Sequence, residues 1–199
     1  MAFQAYNPVV MDPLAKLFGS AARVKLLRLF LFNETNVYTA ADAGTRAKVA
    51  KDATRRELTL LTNIKVLKKK AGKGGTVFYS NPKFAHYESL RTFLRTSSGI
   101  DDAAIGTSLK KVGSLRLILL SGIFSGVPES KIDLLIVGDR LDERALAGVI
   151  QTLEAELGRE LRYASFSTAD FRYRVGVYDR LIRDVLDYPH RLLLDRIGL

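Results

Sequence analysis

Residues 51–80 read KDATRRELTLLTNIKVLKKKAGKGGTVFYS, and two patterns meet within them. In the first half, Thr54, Leu58, Leu61 and Ile64 recur at steps of 4, 3 and 3, which places them on one face of a helix. The other face carries Lys51, Asp52, Arg55, Arg56, Thr59 and Asn63, and the charges of Arg55, Arg56 and Glu57 would suit a solvated helix face in any case. In the second half, residues 66–70 and 76–80 are β-prone and flank Ala-Gly-Lys-Gly-Gly, a connection whose glycines suit a hairpin turn. A helix with a basic outer face therefore runs directly into a basic hairpin.

Working backwards from this stretch, residues 20–32 read SAARVKLLRLFLF, with Ser20 placed to cap a helix and Val24, Leu26, Leu27, Phe30 and Leu31 at helical spacings. Residues 33–36 break that helix, Val37-Tyr38 suits a short strand or turn, and Thr39 is placed to cap a second helix over residues 40–47. Three helices followed by a glycine-tipped hairpin is the order of the winged helix-turn-helix family, which residues 13–81 resemble. The resemblance rests on residues 21–30, the Thr39 cap, residues 54–61, the Ile64-Lys65-Val66-Leu67 exit and a wing at residues 68–75. The family often has glycine where Lys65 stands, so the end of the third helix must be closed differently here.

What the resemblance implies is duplex DNA binding, with the third helix in a major groove and the wing along phosphates. The residues then expected at DNA are Lys48, Lys51, Arg55, Arg56 and Thr59 around the third helix, and Lys68, Lys69, Lys70 and Lys73 on the wing. Arginine offers paired donors to guanine, whereas lysine binds phosphate as a point charge. The aromatics Tyr38, Phe78 and Tyr79 are expected to pack rather than to stack on bases, because Phe78 and Tyr79 point to opposite faces of a strand.

Charge distribution agrees with this division of labour. Of 199 residues with a net charge of +10, residues 1–99 hold 17 Lys and Arg against 6 Asp and Glu, and residues 100–199 hold 14 against 15. Concentrated positive charge gains free energy by displacing counterions from a polyanion. With 47% hydrophobic and 26% charged residues the chain can bury a core. Having no cysteine, it has no disulfides or thiolates, and its two histidines follow no metal-ligand spacing. The apolar run at residues 115–123 is interrupted by Arg116 and too short to span a membrane, and residues 1–17 lack the pattern of a secretion signal. The expectation is a cytoplasmic protein with no metal and no cofactor.

Residues 84–95 have the spacing of a connecting helix and residues 96–99, Thr-Ser-Ser-Gly, that of a linker. Beyond it, residues 115–120, 132–137 and 162–167 suit strands, residues 142–157 a helix, and residues 169–187 a further helix capped by Thr168. Residues 119–139, LLSGIFSGVPESKIDLLIVGD, resemble the nucleotidyltransferase fold, in which a glycine-serine turn precedes a strand bearing two metal-binding carboxylates. The turn here is Ser121-Gly122, Asp133 keeps one carboxylate position, and Lys131 stands at the other, where its ammonium would repel a cation. Asp133 is therefore expected to be structural, hydrogen-bonded to backbone or paired with Lys131 or Arg162, and no catalytic residue is assigned.

The fold class expected is α+β in two domains, a winged helix-turn-helix at residues 13–81 and a small degenerate nucleotidyltransferase-like α/β domain at residues 100–199, joined by residues 82–99. The function expected is that of a homodimeric transcriptional regulator binding double-stranded DNA, whose second domain dimerises or takes a protein partner or nucleotide ligand. The alternatives are a metal-dependent nucleotidyltransferase acting on a nucleic-acid acceptor and an antitoxin-like repressor held by a partner protein.

Overall fold

A computed structural model describes residues 13–97, 100–127 and 129–199. The opening residues read for a secretion signal, up to residue 12, and Ser98-Gly99 of the expected linker lie outside the described residues. The fold is mixed α+β with two small sheets, one of three strands and one of four. By backbone proximity the chain divides into two compact units, Met1–Asp101 with Glu154–Arg159, and Asp102–Leu153 with Glu160–Leu199.

The first unit begins with α1 (Pro13–Leu17) and α2 (Ala21–Phe32), then β1 (Tyr38–Thr39), α3 (Ala40–Arg46) and α4 (Lys51–Asn63). It continues through β2 (Leu67–Gly72), β3 (Gly75–Ser80) and α5 (Tyr87–Thr96). α2 and α3 each start where a side chain satisfies orphan amides. Ser20 Oγ accepts from Arg23 N at 3.2 Å, and Thr39 and Asp42 form a reciprocal capping box at the start of α3. Gly44 lets α3 close on α4, since a Cβ there would sit 3.0 Å from Thr54 Oγ1. Strand order is β1-β3-β2, all antiparallel, and the Gly72–Gly75 pairing leaves Lys73-Gly74 at the hairpin tip. The core gathers Leu26, Leu27, Phe30 and Leu31 of α2 with Leu58 and Leu61 of α4 and Val66 and Leu67 beyond it. Tyr38 packs edge-on against Phe30 with centroids 5.4 Å apart, and Phe78 packs against the same core.

Three expectations for this unit need correcting. Ile64 is 52% exposed rather than on the buried face, because α4 stops at Asn63 and the chain reverses at Lys65, so that Val66 fills the core instead. Glu57 is buried, not on a solvated face, because Arg23 Nε reaches it at 2.8 Å. The helix expected from residue 84 begins at Tyr87, since turns closed by Phe84 N to Asn81 O and Tyr87 N to Phe84 O carry the chain past Pro82 first.

The second unit holds α6 (Asp102–Leu109), β4 (Ser114–Leu120), a 3₁₀ turn (Gly122–Phe124), β5 (Leu134–Asp139) and α7 (Glu143–Leu157) as far as Leu153, the last turn of α7 falling to the first unit. It ends with β6 (Tyr163–Phe166), α8 (Thr168–Gly176), α9 (Arg180–Asp187) and β7 (Arg191–Asp195). The sheet order is β6-β5-β4-β7, with β5 and β6 parallel and the other pairs antiparallel. Both faces of the central strands are buried, Leu117, Leu119, Leu135 and Val137 against Phe171, Ile182 and Val185, and the alternate residues Ile118, Leu120, Leu134 and Ile136 on the other side.

The single helix expected over residues 169–187 is two. α8 ends at Gly176, the chain turns at Tyr178 with φ +55, and Asp179 then caps α9 by accepting from Leu181 N and Ile182 N. The α8 cap is Ser167, whose Oγ accepts from Asp170 N, and not Thr168. The apolar residues 192–194 belong to a fourth strand, β7, that sequence periodicity did not reveal because it is only five residues long.

Candidate nucleic-acid interface

α4 presents two opposed surfaces. Thr54, Glu57, Leu58 and Leu61 are buried, while Lys51, Asp52, Arg55, Arg56 and Thr59 are exposed along the outer face. Thr59 Oγ1 donates to the Arg55 carbonyl at 2.9 Å, which leaves its oxygen as an acceptor towards solvent. Beyond the helix, every residue of β2 after Leu67 is exposed, so Lys68, Lys69 and Lys70 stand on both sides of the ribbon and Lys73 at its tip. Lys70 Nζ lies 5.4 Å from the centre of the Tyr79 ring, which holds the outer part of the hairpin together. Lys48 is exposed on the turn before α4, in a left-handed conformation of φ +49.

The acids of this unit are placed elsewhere. Glu34 and Glu88 pair with Arg91, Asp42 is used in the α3 capping box, and Glu57 binds Arg23. For Asp42 the bonds from Thr39 hold the carboxyl below its ordinary value. Asp52, in the first turn of α4, is the one acid on the outer face, where it also complements the helix dipole. Among the described residues, Lys51, Arg55, Arg56, Lys68, Lys69 and Lys73 have no ion pair. The positive charge of the unit is thus uncompensated on α4 and the hairpin, the two elements that sequence reasoning picked out.

Glu57 is the residue that reasoning misplaced. Arg23 donates to it from Nε and, through Nη1, to the Phe18 carbonyl at 2.7 Å, tying the start of α2 to the middle of α4. Its position three residues after Thr54 and four before Leu61 was the available signal, since that places it at the margin of the buried face.

The second unit has a different constellation around Asp133, which is 1% exposed. Oδ1 accepts from Ile123 N at 3.0 Å and Arg162 Nη2 at 2.8 Å, and Oδ2 accepts from Arg162 N at 2.9 Å and Nε at 3.1 Å. Burial pushes this carboxyl up, but the bonds from the Arg162 guanidinium and the two backbone amides outweigh it and hold it below its ordinary value. Of the partners the sequence left open, Arg162 and backbone are realised, whereas Lys131 is exposed and its amide donates to Asp184 Oδ2. Ser121 and Ser130 are buried beside it, Ser121 Oγ donating to Ser130 Oγ and Ser130 Oγ to the Ile132 carbonyl.

Gly122, at φ +52, lies so close that a Cβ would fall 2.1 Å from Asp133 Oδ1. A divalent cation does not fit this arrangement, because a guanidinium already holds both carboxylate oxygens. Among the described residues no group of three or more His, Cys, Asp or Glu could hold a metal ion, and no helix is long and apolar enough to cross a membrane.

No protein-family model matches the chain, and no curated protein or solved structure does either.

Proposed function

We propose that the first unit is a winged helix-turn-helix that binds duplex DNA, and that the protein is a transcriptional regulator acting as a homodimer. The observation that carries this reading is the uncompensated positive charge of the α4 face and the β2–β3 hairpin, in a unit whose acids are nearly all engaged elsewhere. Phosphates meeting Lys51, Lys68, Lys69 and Lys73 displace counterions without breaking internal ion pairs, so little of the electrostatic gain is lost. α4 supplies the base-reading element, with Arg55 and Arg56 as paired donors to guanine O6 and N7 in a major groove wide enough for a helix. The deep, narrow groove of A-form RNA would exclude it. Two copies on adjacent half-sites enlarge the interface that one small unit can bury.

The second unit is read as a degenerate nucleotidyltransferase-like domain without catalysis, used for dimerisation, ligand sensing or partner binding in a cytoplasmic regulator. The closed network of Asp133, Arg162 and Gly122 supports the non-catalytic reading over that of an active transferase.

The test is fluorescence anisotropy with duplex from the protein's own upstream region and with scrambled duplex, across a salt series, for wild type and the Arg55→Ala/Arg56→Ala variant. Expected are tight cognate binding, weaker scrambled binding, and a loss of preference in the variant of about tenfold or more, from about 1–3 kcal/mol per paired arginine contact. Weak binding to both duplexes, equal in wild type and variant, refutes base reading by α4.

A further inference from the structure

We infer that Lys65 is a phosphate anchor, a contact additional to those expected on α4 and the hairpin; the inference rests on the DNA-binding reading above. Lys65 ends α4 with φ +65, a left-handed conformation that glycine adopts freely and a lysine side chain resists. The helix closes around it in the pattern normally built on glycine, Lys65 N donating to the Thr62 carbonyl and Val66 N to the Leu61 carbonyl, both at 3.0 Å.

A third bond makes the conformation rigid. Buried Asn81 reaches across with Nδ2 to the Lys65 carbonyl at 2.7 Å, while its own amide donates to the Val66 carbonyl at 3.0 Å. A residue in an unfavourable backbone region persists when its surroundings over-determine it, and such residues cluster where a side chain has a task. Here the task is in view. The side chain is exposed and has no ion pair among the described residues, and it sits at the junction between the basic face of α4 and Lys68, the first lysine of β2.

An ammonium with its base fixed between the reading helix and the wing would meet the backbone of the same strand and set the depth at which α4 enters the groove. The competing explanation is that Lys65 only complements the negative end of the α4 dipole. The two differ in what glycine does. Under the dipole explanation Lys65→Gly alters stability and leaves DNA binding as it was. Under the anchor explanation it relieves the backbone and weakens binding.

The experiment compares wild type with Lys65→Gly, Lys65→Asn and Lys65→Arg in the full chain, on upstream and scrambled duplex over a salt series, alongside the thermal midpoint of each protein without DNA. Lys65→Gly and Lys65→Asn are expected to bind both duplexes about threefold to tenfold more weakly at low salt. Their slope of log affinity against log salt should be shallower by about one, with no fall in midpoint for Lys65→Gly. Lys65→Arg, which keeps the charge, retains wild-type affinity and slope. Wild-type affinity and slope in Lys65→Gly overturn the anchor while leaving DNA binding by α4 intact. A wild type that binds no duplex overturns both readings.

Discussion

Replacing Gly122 by alanine places a methyl group 2.1 Å from Asp133 Oδ1 and 3.1 Å from both its Cγ and the Ile132 carbonyl oxygen. The carboxylate must move, and Oδ1 then forfeits its bonds from Ile123 N and Arg162 Nη2. Hydrogen bonds to a charged group contribute about 1.5–3 kcal/mol each. Holding alanine at φ +52 costs a further 1–2 kcal/mol or so. Because Oδ2 keeps its two bonds to Arg162, the expected loss is about 4–8 kcal/mol, a large share of the roughly 5–15 kcal/mol that stabilises a domain. Urea denaturation followed by amide exchange in β4 and β5 reads the second unit separately. With a denaturant slope of about 2 kcal/mol per molar, the midpoint should fall by about 2–4 M. The decisive comparison is the same change in an Asp133→Ala background, where the methyl group meets no carboxylate and only the backbone cost of about 1–2 kcal/mol remains. An equal loss in both backgrounds, or a loss below about 1.5 kcal/mol in the native one, refutes the close-packing argument.

The same carboxylate makes stability depend on acid. Since the folded state holds Asp133 below its ordinary 3.8, its contribution is complete above that value and is lost as pH falls towards the folded value, so urea midpoints for β4 and β5 should drop there, and less steeply in Asp133→Asn. Glu57→Gln weakens the Arg23 pair and should cost about 1–2 kcal/mol, discounted for partial exposure, lowering the thermal midpoint of the first unit by several degrees; an unchanged midpoint would mean that the pair adds nothing. Thr39→Ala removes the α3 capping box at a cost of about 1 kcal/mol, visible as faster amide exchange in the first turn of α3.

Much of the first unit was legible because its signals are local. Ser20 and Thr39 cap the helices they precede, and the glycines of residues 72–75 turn the hairpin. The exceptions arose from contacts distant in sequence. Glu57 is buried only because Arg23 arrives from another helix, and Ile64 is exposed only because Asn81, sixteen residues beyond Lys65, fastens the chain where it reverses. The second unit was harder to read for a related reason. The spacing over residues 169–187 continues smoothly across a break at Tyr178 and Asp179, and β7 is a strand by virtue of pairing with β4 rather than by composition. At the candidate interface the exposed lysines and arginines were identifiable by type and position, but the engagement of nearly all neighbouring acids was not, since ion pairs such as Arg91 with Glu34 join separate elements.

Gly122, Asp133 and Arg162 hold one another in place. A side chain at 122 is excluded while the aspartate is present, the aspartate is a buried charge without the arginine, and the arginine is oriented by the aspartate. Each single replacement passes through a damaged intermediate. Selection for folding alone is enough to keep the three residues together.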